Sequence, residues 1–318
     1  MLFEEIVERM RRKPYLVGMG SGKLSRYLKC SVDDIRKAKE AVRSSGGYSV
    51  VVGPPKKMPK VLIFDTETAP MLGYIWGLWH QDIAWDHVRQ DWFMLCWSAK
   101  WLYGGEVMCD VLTSEEAVRQ DDSRIMRSLW KLIDEADVVV AHNAKRADVP
   151  WMNTRFILND LKCPSPYYII DTLDVAKRYF GFKSNKLDAL AGYFGFPHKI
   201  GTDFSLWERC LKGDAKALED MATYNQRDVK ILELVYLKLR PWMKSHPNVA
   251  ATFDDGVIRC PVCGSSEDHL VEIPDRYYNT STCRYKLYRC IDCGAVVRGR
   301  ENLNKDNKKV VPLTSPAR

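Results

Sequence analysis

The sequence predicts an α/β fold in which a mixed sheet is flanked by helices, and three observations support this. Short apolar runs over 61–64 and 137–141 are typical of buried strands. Segments with helical periodicity alternate with these runs, as expected when helices cover a sheet. Aromatic-rich stretches near 72–79 and 92–103 suit antiparallel strands, which would make the sheet mixed.

The predicted elements follow one another without an internal repeat. The first strand begins at Val61 and ends at Asp65, and a third strand over 167–171 ends at Asp171. The predicted helices cover 123–135, 150–160, 172–180, 186–194 and 214–239. Pro241 ends the last helix, because proline cannot continue the helical hydrogen bonding.

Composition and charge favour a globular protein that binds a polyanion. The 318 residues are 46% hydrophobic and 28% charged, with a net charge of +7. Residues 1–60 carry 14 Lys and Arg against 6 Asp and Glu, residues 61–240 carry 22 against 26, and residues 241–318 carry 12 against 9. Basic flanks around an acidic centre are typical of a nucleic-acid enzyme that gathers carboxylates around cations, although uneven solvated surfaces give the same pattern.

The sequence shows no signal for a membrane or for secretion. No apolar run reaches the roughly 18 residues that span a bilayer, and the first residues are too charged for a secretion signal. We therefore expect a cytoplasmic protein without a membrane partner.

The first acidic pair lies where the first buried strand is predicted to end. Asp65 and Glu67 are two residues apart, so their side chains point to the same side of an extended chain. Asp148 follows the second strand and the loop 142–147, where we expect it to approach the pair. Carboxylates near a core boundary stay ionised only with partners, and divalent cations are the obvious partners.

The last predicted helix carries Tyr224 and Asp228 four residues apart, hence on one helical face. With Asp65, Glu67 and Asp148 they resemble the exonuclease family known for its Asp-Glu-Asp-Asp quartet, which includes polymerase proofreading domains. The tyrosine-containing (DEDDy, DnaQ-like) subgroup shows Tyr-x-x-x-Asp, which here is Tyr224-Asn225-Gln226-Arg227-Asp228. The chain departs at one position, since Ala147 stands where the family usually has an aromatic residue.

The resemblance implies a ribonuclease-H-like fold and a 3′–5′ exonuclease that acts on nucleic acid, with DNA favoured. It further implies that Asp65, Glu67, Asp148 and Asp228 hold two Mg²⁺ or Mn²⁺ ions, one activating a water and one stabilising the leaving oxygen. Tyr224 would orient the attacking water, because a phenol with a pKa of about 10 is a poor base. A polymerase or a replication or repair protein is an expected partner.

Other functions fit the same residues. A ribonuclease or a structure-specific endonuclease would use the same carboxylates, and a non-catalytic DNA-binding regulator is an alternative of another class. A scaffold would not need to keep all four acids together with Tyr224, so the enzyme is favoured.

Residues around the quartet receive supporting roles. His142 and Asn143 are predicted to hold their loop or contact substrate, and Asp171 to cap a helix. Six tryptophans crowd one region, and we expect most to be core residues with one or two stacking on bases. These are Trp76, Trp79, Trp85, Trp92, Trp97 and Trp101.

The N-terminal segment is predicted to be helical. One short helix covers 23–28, and a second begins after Ser31, its N-cap, and ends near Arg43. The second helix is basic, and the pair resembles a helix-turn-helix DNA-binding unit. A helical hairpin that packs on the core would show the same pattern.

The C-terminal region carries two Cys-x-x-Cys pairs, Cys260 with Cys263 and Cys290 with Cys293, whose spacing resembles a zinc ribbon with one structural Zn²⁺. Cys283 is predicted not to bind metal, and the scattered cysteines fit a reducing compartment. Basic and aromatic residues between the pairs suit either nucleic-acid contact or a purely structural module.

These observations divide the chain into five parts. They are the helix-turn-helix-like segment 1–50, a linker 51–59, the exonuclease domain 60–243, the zinc ribbon 255–300 and a tail 301–318 that we expect to be disordered.

Overall fold

The structure is a computed structural model that describes residues 3–12, 21–44, 59–80, 82–197, 201–253 and 255–305. The chain divides into two compact units, Met1–Pro55 and Lys56–Arg318. Most of the predicted linker and residues 306–318 of the predicted tail lie outside the described residues. Within the described ranges, no helix is both long and apolar enough to cross a bilayer.

The N-terminal unit contains three described helices, α1 (Phe3–Arg12), α2 (Ser21–Leu28) and α3 (Val32–Ser44). Apolar residues from all three form its core: Ile6, Val7, Met10, Leu24, Leu28, Ile35 and Ala38. The Asp34 N–H donates to the Ser31 hydroxyl oxygen at 3.0 Å, which confirms Ser31 as the cap of α3. The two predicted helices are therefore confirmed, α1 is additional, and DNA binding by this unit stays a prediction.

The second unit is built on a five-stranded sheet in the order β5-β4-β1-β6-β7. The strands are β1 (Val61–Thr68), β4 (Met94–Trp101), β5 (Met108–Val111), β6 (Val138–Ala141) and β7 (Tyr168–Asp171). β1 pairs antiparallel with β4 and parallel with β6. The mixed α/β sheet predicted from the sequence is thus confirmed, with β1 at its centre.

Helices cover both faces of this sheet. They are α4 (Ser114–Arg119), α5 (Ser123–Glu135), α6 (Asp148–Leu158), α7 (Thr172–Tyr179), α8 (Leu187–Tyr193), α9 (Phe204–Leu211) and α10 (Ala215–Leu239). Leu62 and Phe64 pack in one cluster with residues of α5 and α6, whereas Val61 and Ile63 pack with α8 and α10. Because alternate residues of a strand face opposite sides, the apolar run of β1 is buried on both faces.

Three local expectations are wrong in detail. The first strand does not end at Asp65, because pairing with β4 continues to Thr68. Residues 72–79 form little strand: only β2 (Leu72–Gly73) pairs there, with β3 (Val88–Gln90). The helix predicted over 150–160 begins at Asp148. Strand β5 and helices α4 and α9 have no counterpart in the prediction.

The C-terminal region folds as a three-stranded sheet in the order β10-β9-β8. Its strands are β8 (Leu270–Asn279), β9 (Arg284–Cys290) and β10 (Val296–Arg298), and neighbouring strands are antiparallel. The cysteine pairs lie at the end of the hairpin away from the β8–β9 turn, since Leu270 pairs with Cys290.

A buried carboxylate fixes α6 against the sheet. Asp122 is fully buried and accepts hydrogen bonds from the Met94 N–H at 2.9 Å and from the Arg155 guanidinium at 2.5 and 2.8 Å. Asn159 donates to it at 2.8 Å. Asp122 thereby joins the start of β4 to the helix that begins at Asp148.

Replacing Asp122 by Ala should lower the free energy of unfolding by about 3–5 kcal/mol, because the half-buried Arg155 guanidinium and the buried Met94 N–H lose their partner. Urea unfolding monitored by tryptophan fluorescence measures this change. The control is Glu115→Ala, which removes an exposed ion pair with Arg119 and should change stability by less than about 1 kcal/mol. Equal effects of the two variants would show that Asp122 does not hold this junction.

Candidate active site

Three of the four predicted metal ligands meet at the centre of the sheet. Asp65 and Glu67 lie on β1 opposite Ser98 and Cys96 of β4, so both side chains are on one side of the strand. Asp228 reaches them from α10 and is almost completely buried. One carboxylate oxygen from each of the three lies within 4.8 Å of the other two. The arrangement is therefore a cage of hard oxygen ligands.

Asp148 lies beside this cage but is not one of the three residues that form it. Its carboxylate accepts hydrogen bonds from the backbone N–H and the hydroxyl of Thr66, at 3.2 and 2.8 Å. Burial raises the pKa of Asp148 to about 6, while the Thr66 hydroxyl opposes the rise. Asp148 thus approaches Asp65 and Glu67, as predicted, through its hydrogen bonds with Thr66, the residue between them.

Asn225 belongs to the site although it was not among the predicted residues. It is fully buried, and its side-chain amide donates to Asp65 Oδ2 at 2.7 Å. Its own carbonyl oxygen is buried without a hydrogen-bond partner among the described residues. The sequence signal that could have identified Asn225 is a polar residue on the apolar face of a helix, three positions before Asp228.

Tyr224 is half-buried on α10, one turn before Asp228. Its ring makes an edge-to-face contact with Trp207 of α9, with centroids 6.4 Å apart. This contact between α9 and α10 restrains the Tyr224 ring one turn from Asp228.

Asp171 both caps a helix and orders the loop before Asp148. Its carboxylate accepts from Leu173 N and Asp174 N in the first turn of α7, which confirms the predicted cap. The same carboxylate accepts from the N–H groups of Asn143 and Lys145, both at 3.0 Å. Asn143, the predicted loop residue, has a left-handed φ of 74° that suits this tight turn.

Both ring nitrogens of His142 contact neighbouring groups. Nε2 lies 3.0 Å from the carbonyl oxygen of Asn185, which can only accept, so Nε2 carries the proton. Nδ1 lies 2.8 Å from the Thr172 hydroxyl oxygen, and that hydroxyl also contacts the Ala141 carbonyl oxygen at 3.3 Å. With both ring nitrogens engaged by neighbouring groups, the imidazole is placed to hold the loop rather than to take a proton from water.

The tryptophans differ from the expectation that most lie in the core. Trp97 is buried and donates to the Ile125 carbonyl oxygen. Trp76, Trp79 and Trp85 are 93%, 82% and 78% exposed, because the segment between β2 and β3 leaves the sheet. Trp92 packs with Trp151 of α6 at 6.2 Å. Base stacking by any of them stays a prediction.

The four paired cysteines converge at the base of the C-terminal sheet. Cys260 Sγ lies 3.7 Å from Cys293 Sγ, and Cys263 Sγ lies 3.6 Å from Cys290 Sγ. A disulfide would bring the sulfurs to about 2 Å, whereas four thiolates bound tetrahedrally at about 2.3 Å from one ion lie about 3.8 Å apart. The spacing therefore fits a metal site.

Tight turns shape the two cysteine pairs alike. Gly264 and Gly294 follow the second cysteine of each pair with φ of 79° and 81°, which a glycine adopts without strain. Each donates its N–H at 2.8 Å to the carbonyl oxygen of the first cysteine. Cys283 is not part of the four-sulfur group.

The comparison with protein families agrees with this architecture. The model of a family described as the RNase_H superfamily matches residues 104–240. Among solved structures, the chain is similar to the family B DNA polymerase from the hyperthermophilic archaeon Pyrobaculum calidifontis, with 16% sequence identity and a TM-score of 0.45. That match covers 61% of this chain and 25% of the polymerase, so the chain spans about a quarter of the polymerase's length. No curated protein matches the sequence.

The fold is ribonuclease-H-like, as the family match and the five-stranded mixed sheet together show. The matched region begins after β1. Asp148, Tyr224 and Asp228 lie inside it, while Asp65 and Glu67 lie outside it and join the site through the geometry of β1.

Proposed function

We propose that this protein is a metal-dependent 3′–5′ exonuclease that hydrolyses phosphodiester bonds, with DNA as the favoured substrate. The observation that carries the proposal is the cage of Asp65, Glu67 and Asp228 on a ribonuclease-H-like sheet, with Asp148 held beside it. The direction of digestion and the preference for DNA rest on the resemblance of the motifs.

The residues at the cage fit divalent cations. Carboxylate oxygens are the ligands that Mg²⁺ and Mn²⁺ prefer, and three of them this close repel one another without a cation. We infer that Asp65, Glu67, Asp148 and Asp228 hold two such ions, which would supply Lewis-acid stabilisation of the reacting oxygens and lower the pKa of water.

The protein's own groups would orient the reactants. The Asn225 amide fixes one oxygen of Asp65 and so directs the other. The Tyr224 hydroxyl is proposed to orient the attacking water by a hydrogen bond, because a phenol is a good hydrogen-bond partner but a poor base. His142 keeps the loop before Asp148 in place through Thr172 and Asn185.

The four cysteines are proposed to bind one structural Zn²⁺, since thiolates in a tetrahedral arrangement select soft ions. Such a module has a small core, here Cys260, Val262, Cys290 and Ala295. Its folding should therefore depend on the metal. An association with a polymerase or a repair protein stays a prediction.

Removing any one carboxylate should abolish most cleavage. Asp65→Asn, Glu67→Gln, Asp148→Asn and Asp228→Asn should each lower kcat by at least about a hundredfold, because each strips one ligand from a shared cage. Tyr224→Phe should cost on the order of tenfold. Digestion of 5′-labelled and 3′-labelled single-stranded DNA, duplex DNA and RNA, with Mg²⁺, Mn²⁺ or no metal, measures rate, polarity and substrate together.

A matched control for this series is Asp220→Asn, which removes an exposed carboxylate from the same helix and should leave the rate unchanged. Wild-type rates in all four carboxylate variants would contradict the site. A release of mononucleotides from the 5′ end would contradict the 3′–5′ polarity, internal cuts would favour the endonuclease alternative, and a preference for RNA would favour the ribonuclease.

Asn225 offers a test of positioning. Asn225→Ala should weaken Mn²⁺ affinity about tenfold or more, since residues that orient a ligand typically affect metal affinity to that extent. Electron paramagnetic resonance of free Mn²⁺ measures the affinity without a turnover assay. Thr223→Ala, an exposed neighbour on α10, is the control. Unchanged Mn²⁺ affinity in Asn225→Ala would show that the amide only fills space.

Zinc content separates the two metal sites. Purified protein should hold about one zinc after dialysis, and Cys260→Ser or Cys293→Ser should lose it and unfold residues 255–300 locally. Cys283→Ser should keep it. Elemental analysis measures the content, and zinc that is absent from the wild type, or lost only from Cys283→Ser, would overturn the assignment.

A further inference from the structure

The outer part of the C-terminal hairpin carries arginines that stack on tyrosines. The Arg284 guanidinium lies 3.7 Å from the centroid of the Tyr277 ring. The Arg298 guanidinium, on the neighbouring strand β10, lies 4.5 Å from Tyr285 and 5.3 Å from Tyr278. Because neighbouring residues of a strand face opposite sides, Tyr278, Tyr285 and Arg298 lie on one face of the hairpin, and Tyr277 and Arg284 lie on the other. We call Tyr278, Tyr285 and Arg298 the Arg–Tyr patch.

The register of the strands explains how the patch forms. Tyr278 of β8 pairs with Tyr285 of β9, so the two rings share one face of the hairpin. Arg298 pairs with Leu287, two residues from Tyr285, which puts its side chain on that same face. The sequence therefore builds a guanidinium against two rings.

The two guanidinium groups keep their hydrogen-bonding capacity. Both arginines are exposed, and within the described part of the chain neither guanidinium has an ion pair or a hydrogen-bond acceptor. Two other cations of the hairpin are engaged: Lys286 pairs with Glu272, and Arg289 donates to the Gly294 carbonyl oxygen. Stacking restrains a guanidinium through its face and leaves its N–H edge available.

A restrained guanidinium with an open N–H edge is suited to a phosphate, which accepts two parallel hydrogen bonds from it. The Tyr278 ring is 48% exposed beside Arg298 and offers a surface on which a base can stack. Positive charge interleaved with aromatic rings is the combination that binds single strands, whose bases are accessible, whereas a duplex covers its bases.

We propose that the Arg–Tyr patch binds a single-stranded segment of nucleic acid, with Arg298 on a phosphate and Tyr278 stacked on a base. The choice of nucleic acid as ligand rests on the proposed function. The patch is composed of residues separate from the carboxylate cage, so it would add affinity for the strand without taking part in hydrolysis.

The test uses the full chain with Asp65→Asn, so that the strand is not cut, and fluorescence anisotropy of labelled oligothymidylate over a range of salt concentrations. Arg298→Ala should weaken binding roughly threefold to tenfold and reduce the slope of log affinity against log salt by about 0.7. Arg284→Ala removes an exposed arginine from the opposite face of the same hairpin and should change binding and slope less. Tyr278→Ala should weaken binding about fivefold or more without changing the slope. Arg298→Lys should keep the slope and lose part of the affinity.

Controls make each outcome decisive. Arg119→Ala, which removes an exposed arginine from α4, should bind as the parent does, and an unchanged zinc content shows that the hairpin is still folded. Wild-type binding by Arg298→Ala, or an equal loss of binding in Arg284→Ala, would overturn the patch. An equal effect of Tyr278→Ala on duplex DNA, or displacement of the oligonucleotide by polyglutamate at matched charge, would overturn the single-strand assignment. The nuclease proposal fails separately, if the unmodified chain binds through the patch but cuts nothing.

Discussion

The carboxylates of Asp65, Glu67 and Asp228 offer oxygen atoms that lie within 4.8 Å of one another. Each like-charged pair at that separation repels by roughly 3 kcal/mol at an effective dielectric constant of about 20. The surrounding fold holds these groups together nonetheless, on a central strand that pairs on both sides and on a long helix packed across it. Cations at these carboxylates would offset the repulsion, and the proposed nuclease function depends on them.

Neighbouring residues limit how the acids can relax apart. Asn225 holds one oxygen of Asp65, and Thr66 holds Asp148 through two hydrogen bonds. Farther from the cage, Asp171 accepts hydrogen bonds from the loop before Asp148. Asp122 joins β4 to α6, the helix that begins at Asp148. These contacts link all segments of the site, so its geometry is a property of the fold rather than of flexible side chains.

Much of the fold and of the candidate site was predictable, because hydrophobic periodicity and residue spacing determine which side chains share a face. The apolar run of β1 predicted a buried strand, two-residue spacing put Asp65 and Glu67 on one side, and four-residue spacing put Tyr224 and Asp228 on one helix face. The length of β1 was not predictable, since pairing with β4 extends it beyond the apolar residues. Nor were the Thr66 and Asn225 contacts, which join residues 82 and 160 positions apart. The exposed Trp76 shows where aromatic content misleads. The aromatic residues predicted a strand over 72–79, but the chain forms no strand over 74–80.

The most direct test of the metal cage is anomalous diffraction from crystals grown with Mn²⁺. We expect two manganese peaks, one among Asp65, Glu67 and Asp228 and a second beside Asp148. Both peaks should be lost in crystals of Asp228→Asn. Manganese absent from these carboxylates at a concentration that supports cleavage would contradict it.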